Sequence, residues 1–99
     1  MFTTDELDGK MLLIDDFHVT TVDQRLVLTM DAQTDKAKHR IIFQNISGLR
    51  IDHFSYPIRI SCLAVIDHSA EGWSPDLRYE VYDFEDASLR FFCEDVIMA

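Results

Sequence analysis

Glycine and proline are scarce in this chain of 99 residues, which has three of the first and two of the second. Three scattered glycines do not form a glycine-rich phosphate loop, so the sequence offers no nucleotide site of that kind. Closely spaced cysteine pairs are also lacking, since Cys62 and Cys93 lie far apart in apolar stretches. We interpret both as reduced core thiols rather than zinc ligands or disulfide partners, and we expect no cofactor.

Basic residues are few: 9 Lys and Arg stand against 18 Asp and Glu, which gives a net charge of −9. Binding to phosphate-rich partners depends on Lys and Arg, so this balance disfavours nucleic acid and anionic membranes. It favours attraction to basic partners instead.

Long apolar runs are missing too, and no stretch approaches the length needed to cross a membrane. The segment Met1–Lys10 is acidic and has no apolar run, so it predicts no signal peptide. With reduced cysteines, this makes the cytoplasm the expected location.

The clearest pattern that is present is a long antiparallel hairpin over Leu77–Ile97. Apolar and polar residues alternate on both sides of an acidic turn, as in half-buried strands. The register that keeps like faces together predicts four pairs, namely Tyr79 with Cys93, Val81 with Phe91, Arg78 with Glu94, and Tyr82 with Arg90. The last pair predicts a cation–π contact.

Five more strands are predicted upstream, at spacings typical of sandwiches and barrels. They are Met11–Val19, Arg25–Ala32, Lys38–Asn45, Leu49–Phe54 and Ile58–Asp67. A bulge at Asp15-Asp16 would let Leu13 and Phe17 share a face. The expected fold is a single all-β domain over residues 1–99, a mainly antiparallel sandwich or open barrel of about seven strands. An α+β fold with one short helix within Met1–Lys10 is the alternative.

The predicted core contains residues from one face of each main strand. These are Leu26, Leu28, Ile41, Phe43, Ile60, Cys62, Tyr79, Val81 and Phe91.

No group of residues predicts catalysis. The four histidines, His18, His39, His53 and His68, are interpreted as surface or turn residues, and only the pair Asp16 and His18 is spaced to bind one ion from one strand face. Adjacent acids such as Asp15-Asp16 and Glu85-Asp86 diverge along a strand, so they predict turn or bulge acids. A cysteine nucleophile is disfavoured because catalytic thiols occupy electropositive, partly exposed places.

Trp73 lies in the longest predicted loop, His68–Asp76, and is either a contact residue or a cap on the end of the core. Tryptophan is enriched at binding hot spots. Acidic residues flank the same region and the last hairpin. The predicted partner-binding set is Trp73, Glu71, Asp76, Asp83, Glu85 and Asp86.

Two stretches, FQNISGLRI at 43–51 and RYEVYD at 78–83, are similar to stretches in small bacterial all-β proteins of unassigned function. Some proteins of this size and acidity are immunity proteins, which block toxins. The resemblance implies an immunity function and assigns no individual residue.

These observations predict a non-catalytic acidic domain that binds another protein, with an inhibitor of a basic bacterial toxin as one form of it. A structural homodimer is the first alternative, with apolar groups from a second face: Val27, Leu63, Val65, Tyr82 and Phe92. A small metal-dependent hydrolase built on Asp16, His18 and another histidine is the second.

Overall fold

Alternating apolar and polar residues form two antiparallel sheets that pack face to face. The computed structural model describes residues 2–34, 37–52, 58–85 and 88–99. The all-β prediction is confirmed, with nine strands in the described residues where about seven were expected. They are β1 Leu12–Val22, β2 Arg25–Gln33, β3 Lys38–Gln44, β4 Ser47–Ile51, β5 Ile58–Ile60, β6 Leu63–Asp67, β7 Tyr79–Asp83, β8 Leu89–Cys93 and β9 Asp95–Met98.

The first sheet has the strand order β5-β1-β2-β3-β9, and the second has the order β4-β8-β7-β6. The helical alternative for the N-terminus reduces to a single 3-10 turn, Thr4–Glu6, in which the Thr3 N–H donates to Glu6 Oε2 over 2.9 Å. No helix among the described residues is long and apolar enough to span a membrane.

The core lies between the two inner faces. Phe43 on β3 and Phe91 on β8 are fully buried and meet edge to face, with ring centroids 4.9 Å apart. Seven of the nine predicted core residues are buried: Leu28, Ile41, Phe43, Ile60, Tyr79, Val81 and Phe91. Edge-to-face contact is a preferred aromatic geometry, so this pair joins the sheets as well as filling space.

Two predicted core residues are placed differently. Leu26 is 45% exposed, and Cys62 is only half-buried. Leu26 pairs with Thr21 near the tip of the β1–β2 hairpin, and Val19, two residues before Thr21, is also exposed. The exposure of both shows that the second sheet does not cover this end of the hairpin.

The β1–β2 turn is shorter than the predicted Thr20–Gln24. Asp23 and Gln24 form a two-residue turn, with φ values of 51° and 66°. Positive φ at both central positions is the geometry that fits the twist of an antiparallel hairpin. The predicted bulge is present, between Ile14 and Asp16. It aligns Phe17 with Ile14 on the inner face rather than with Leu13, because Ile14 and Phe17 pair with the buried Ala32 and Met30.

The predicted strand Ile58–Asp67 is two strands in different sheets. Ile58 and Ile60 point inward from β5, and after a bend at 61–62 the side chains of Leu63 and Val65 point inward from β6. The expectation that Leu63 and Val65 lie on a free second face was therefore wrong.

The C-terminal hairpin has the predicted pairs Tyr79–Cys93, Val81–Phe91 and Tyr82–Arg90. It ends earlier than predicted, because Ile97 belongs to β9 and pairs with Ile42 of β3 in the first sheet. The end of the predicted strand Leu49–Phe54 lies outside the described residues.

Leu26 and Leu28 allow a matched test of this core. We expect Leu28→Ala to lower the free energy of unfolding by about 2–5 kcal/mol, because Leu28 is fully buried. Leu26→Ala removes the same atoms from a half-exposed site and should cost less than about 1 kcal/mol. Urea unfolding of both variants measures the difference, and equal losses would contradict the assigned inner face.

Candidate functional site

The loop between β6 and β7 is built to hold Trp73 in one place. It contains two 3-10 turns, Ser69–Glu71 and Pro75–Leu77. Gly72 ends the first turn with φ 73°, a left-handed conformation that glycine adopts without steric cost. Pro75 starts the second turn, where its fixed φ suits a helical start. Trp73 lies between the two turns.

His68, at the start of this loop, is buried, contrary to its interpretation as a surface or turn residue. Its Nδ1 lies 2.7 Å from Glu71 Oε2 and its Nε2 lies 2.9 Å from Glu80 Oε1. Ionised carboxylates only accept hydrogen bonds, and a neutral imidazole has one N–H to donate. The geometry therefore fits an imidazolium that donates from both nitrogens.

The pKa of His68 agrees with that assignment. Burial lowers it, but the hydrogen bonds to Glu80 and Glu71 outweigh burial, so the pKa is raised above its ordinary value. Glu80 is itself mostly buried and uses its other oxygen, Oε2, to accept from Arg90 Nε and Nη2 over 3.1 and 2.8 Å. The two oxygens of Glu80 thus serve two different cations.

Trp73 stacks on the His68 ring, with centroids 3.9 Å apart and an interplanar angle of 17°. It also approaches Phe92 in a tilted arrangement, with ring centroids 6.3 Å apart. The indole remains 44% exposed. Trp73 is therefore held against the domain, as a cap would be, and still presents almost half of its surface to solvent.

Asp76 is fixed by a contact from a distant part of the chain. Asn45, with φ 56°, donates from Nδ2 to Asp76 Oδ1 over 3.0 Å and to Glu94 Oε1 over 3.3 Å. Arg25 lies 3.6 Å from the other oxygen of Glu94. We use the name Trp73 surface for the group Glu71, Trp73, Asp76, Phe92 and Glu94.

Asp83 and Glu85 of the predicted site lie at the opposite end of β7, which spans about 13 Å at about 3.3 Å per residue. Asp83 is buried, and it accepts from Ser88 Oγ at 2.7 Å and from the Glu85 N–H at 3.3 Å. Its carboxylate organises the turn and is not part of an exposed surface, which corrects its place in the predicted set. Glu85 is exposed, and Asp86 lies outside the described residues.

Two predicted side-chain pairs have other partners. Arg90 lies over Phe92 at 5.5 Å and not over Tyr82. Arg78 pairs with Asp67 at 3.5 Å, while Glu94 pairs with Arg25. Arg90 instead forms an ion pair with Glu80 of β7, and Arg78 forms one with Asp67 of β6.

Sequence reasoning missed an exposed aromatic group beyond Trp73. Phe84 is 66% exposed and lies 6.5 Å from Tyr82. The alternation of buried Tyr79, Val81 and Asp83 places the half-buried Tyr82 on the outer face of the second sheet. This alternation in the sequence could have predicted which aromatic rings face outward. It does not predict which of those rings are covered by neighbouring side chains.

The enzyme alternatives gain no support from the geometry. Asp16 and His18 do interact, at 3.2 Å, but no group of three or more His, Cys, Asp or Glu side chains in the described ranges is arranged to hold a metal ion. His53 lies outside those ranges. Cys93 is fully buried, which raises the pKa of its thiol to about 12 and disfavours the nucleophilic thiolate.

A family model described as Immunity protein PIM8 matches residues 11–99. No curated protein and no solved structure matches the chain.

The two cysteines should differ in reactivity. At neutral pH we expect a thiol reagent to modify Cys62 in the folded protein and to leave Cys93 unmodified, because only Cys62 is partly exposed. A Cys62→Ser variant should then be unreactive until it is unfolded in denaturant. Rapid modification of folded Cys62→Ser would contradict the buried position of Cys93.

Proposed function

We propose a function from one premise: this chain belongs to the PIM8 immunity protein family. The family implies an immunity-type function, in which the protein acts by binding another protein, a toxin. We propose that this chain neutralises its toxin by binding alone, in the cytoplasm, and that the toxin presents a basic surface.

The observation that carries the proposal is the exposed indole of Trp73 on a rigid base. Large aromatic side chains in well-packed surroundings dominate many protein interfaces. Stacking on His68 fixes the indole before binding, so less conformational freedom is lost when the partner arrives. Trp73 therefore has the features of an interface anchor.

The charge around Trp73 supports a basic partner. Asp76 and Glu94 are held around the same amide nitrogen of Asn45, so two like charges lie close together. Only Arg25 offsets them among the ion pairs of the described residues. A Lys or Arg from the toxin would relieve that repulsion, and the overall charge of −9 would steer it toward the protein.

A homodimer is a less favoured function than toxin binding. Of the five apolar residues expected on a second face, Leu63 and Val65 are buried in the core. The others, Val27, Tyr82 and Phe92, are half-buried and lie in two different sheets. These three residues do not form one continuous apolar face for a second copy. We therefore propose that the partner of the domain is the toxin.

The product of an adjacent gene is the natural toxin to test. We expect its expression to arrest growth of a bacterial host and co-expression of this chain to restore growth, because binding would block the toxin. Trp73→Ala should reduce that protection, since the loss of an interface anchor costs about 2 kcal/mol or more. Arrest that persists with equally abundant, folded wild-type chain would contradict the immunity function toward that toxin.

Charge reversal distinguishes an effect of the acids beside Trp73 from an effect of the net charge of the protein. We expect Asp76→Lys with Glu94→Lys to slow association with the purified toxin by on the order of tenfold at low salt, with a smaller effect at high salt. Asp15→Lys with Asp16→Lys makes the same change in net charge on the outer face of the first sheet and serves as the control. Equal losses from the two double variants, measured by surface plasmon resonance, would show that only net charge matters.

A further inference from the structure

His68 is buried, and two members of the Trp73 surface, Trp73 and Glu71, contact its ring. Its ring is covered by Trp73 on one face, faces Glu71 from the 3-10 turn Ser69–Glu71, and faces Glu80 from β7. Arg90 of β8 lies behind Glu80, where it binds the opposite carboxylate oxygen. Asp67, the last residue of β6, forms an ion pair with Arg78, and the Arg78 carbonyl accepts from the His68 N–H.

We propose that His68, as an imidazolium, is the positioning residue that holds Trp73 ready for the toxin, and that toxin binding through the Trp73 surface weakens when His68 loses its proton. The coupling to binding rests on the function proposed above. The positioning itself can be measured on the free protein.

The geometry requires the charged form for both hydrogen bonds. A neutral ring would donate to only one of Glu71 and Glu80 and would point a lone pair at the carboxylate of the other. Glu80 is also held by Arg90, whereas the half-exposed Glu71 carboxylate has no second side-chain partner among the described residues. Deprotonation should therefore release Glu71 first.

Release of Glu71 would loosen the segment that carries Trp73. Glu71 ends the first 3-10 turn, and Gly72, the next residue, adopts a conformation open to few other residues. The stacked indole would also lose its attraction to a cation, which is strongest when the cation is desolvated. Both effects make the Trp73 side chain less ordered.

The sign of the pH dependence follows from the raised pKa of His68, in which the hydrogen bonds to Glu80 and Glu71 outweigh burial. A group whose pKa is higher in the folded state stabilises the fold fully below its unfolded pKa, about 6.5 for histidine. That stabilisation is lost as pH rises through the folded pKa. The ordered Trp73 should therefore be present in mildly acidic solution and be lost as pH rises through the raised pKa of His68.

Trp73 is the only tryptophan, so its fluorescence reports on His68 directly. A stacked imidazolium quenches indole emission. We expect emission of the free protein to rise between about pH 5 and about pH 9, with a midpoint above about 6.5. His68→Gln should abolish the rise, and Glu71→Gln should move the midpoint to lower pH because it removes one partner of the charged ring.

His39→Gln, which removes a histidine from β3 in the other sheet, is the matched control and should keep the wild-type profile. A wild-type profile that is flat, or one that His39→Gln removes, would overturn the assignment. Glu71→Gln keeps the test decisive if His68→Gln does not fold, since an unshifted midpoint in Glu71→Gln also overturns it.

Binding is then measured with the toxin on both sides of the fluorescence midpoint. We expect the affinity of the wild-type chain to fall as pH rises through that midpoint and the affinity of His68→Gln to lack this step. Affinity that is unchanged across the midpoint overturns the coupling and leaves the immunity function intact. Absence of binding at every pH overturns the function and the coupling together, and the fluorescence titration of the free protein distinguishes these cases.

Discussion

The contact between Phe43 and Phe91 sets the arrangement of the rest of the molecule. One ring comes from each sheet, both are fully buried, and they meet at 4.9 Å. Successive strand residues point to opposite faces, so a strand that supplies one core residue can add another only two positions along. The positions between them face outward. Glu80, Arg90 and Phe92 occupy such positions on the second sheet, which makes the outer face available for the network under Trp73.

Much of this fold could be predicted because alternation reports which side chains are buried. It could not tell which sheet a strand joins. The run from Ile58 to Val65 looks apolar on both faces because the chain changes sheets at 61–62. Apolar side chains point into the core first from one sheet and then from the other. The same limit applies after β8, where Ile97 looks like the end of a hairpin strand and instead pairs with Ile42. Sheet assignment depends on contacts that are distant in sequence.

The candidate site could also be predicted only in part, for the same reason. Glu71, Trp73 and Asp76 lie in one loop, and their neighbourhood could be predicted from the sequence alone. Their fixed positions could not, because these depend on Glu80, on Phe92, and on Asn45, which is 31 residues away from Asp76. Asp83 shows the opposite error: an acid beside a turn was assumed to be exposed, but the turn itself uses the carboxylate.

Formal charges show which acids are available to a partner. Glu71 and Glu80 carry two negative charges, and His68 and Arg90 carry two positive ones, so the network beneath Trp73 is neutral. The negative charge that a basic toxin would meet there comes from Asp76 and Glu94. Loss of the His68 proton would add one negative charge to the network, which by itself would favour a basic partner.

That attraction is small. Exposed ion pairs are worth about 0–1 kcal/mol and are weakened by salt, whereas an interface anchor contributes about 2 kcal/mol or more. The ordering of Trp73 should therefore outweigh the added charge, and binding should weaken as pH rises.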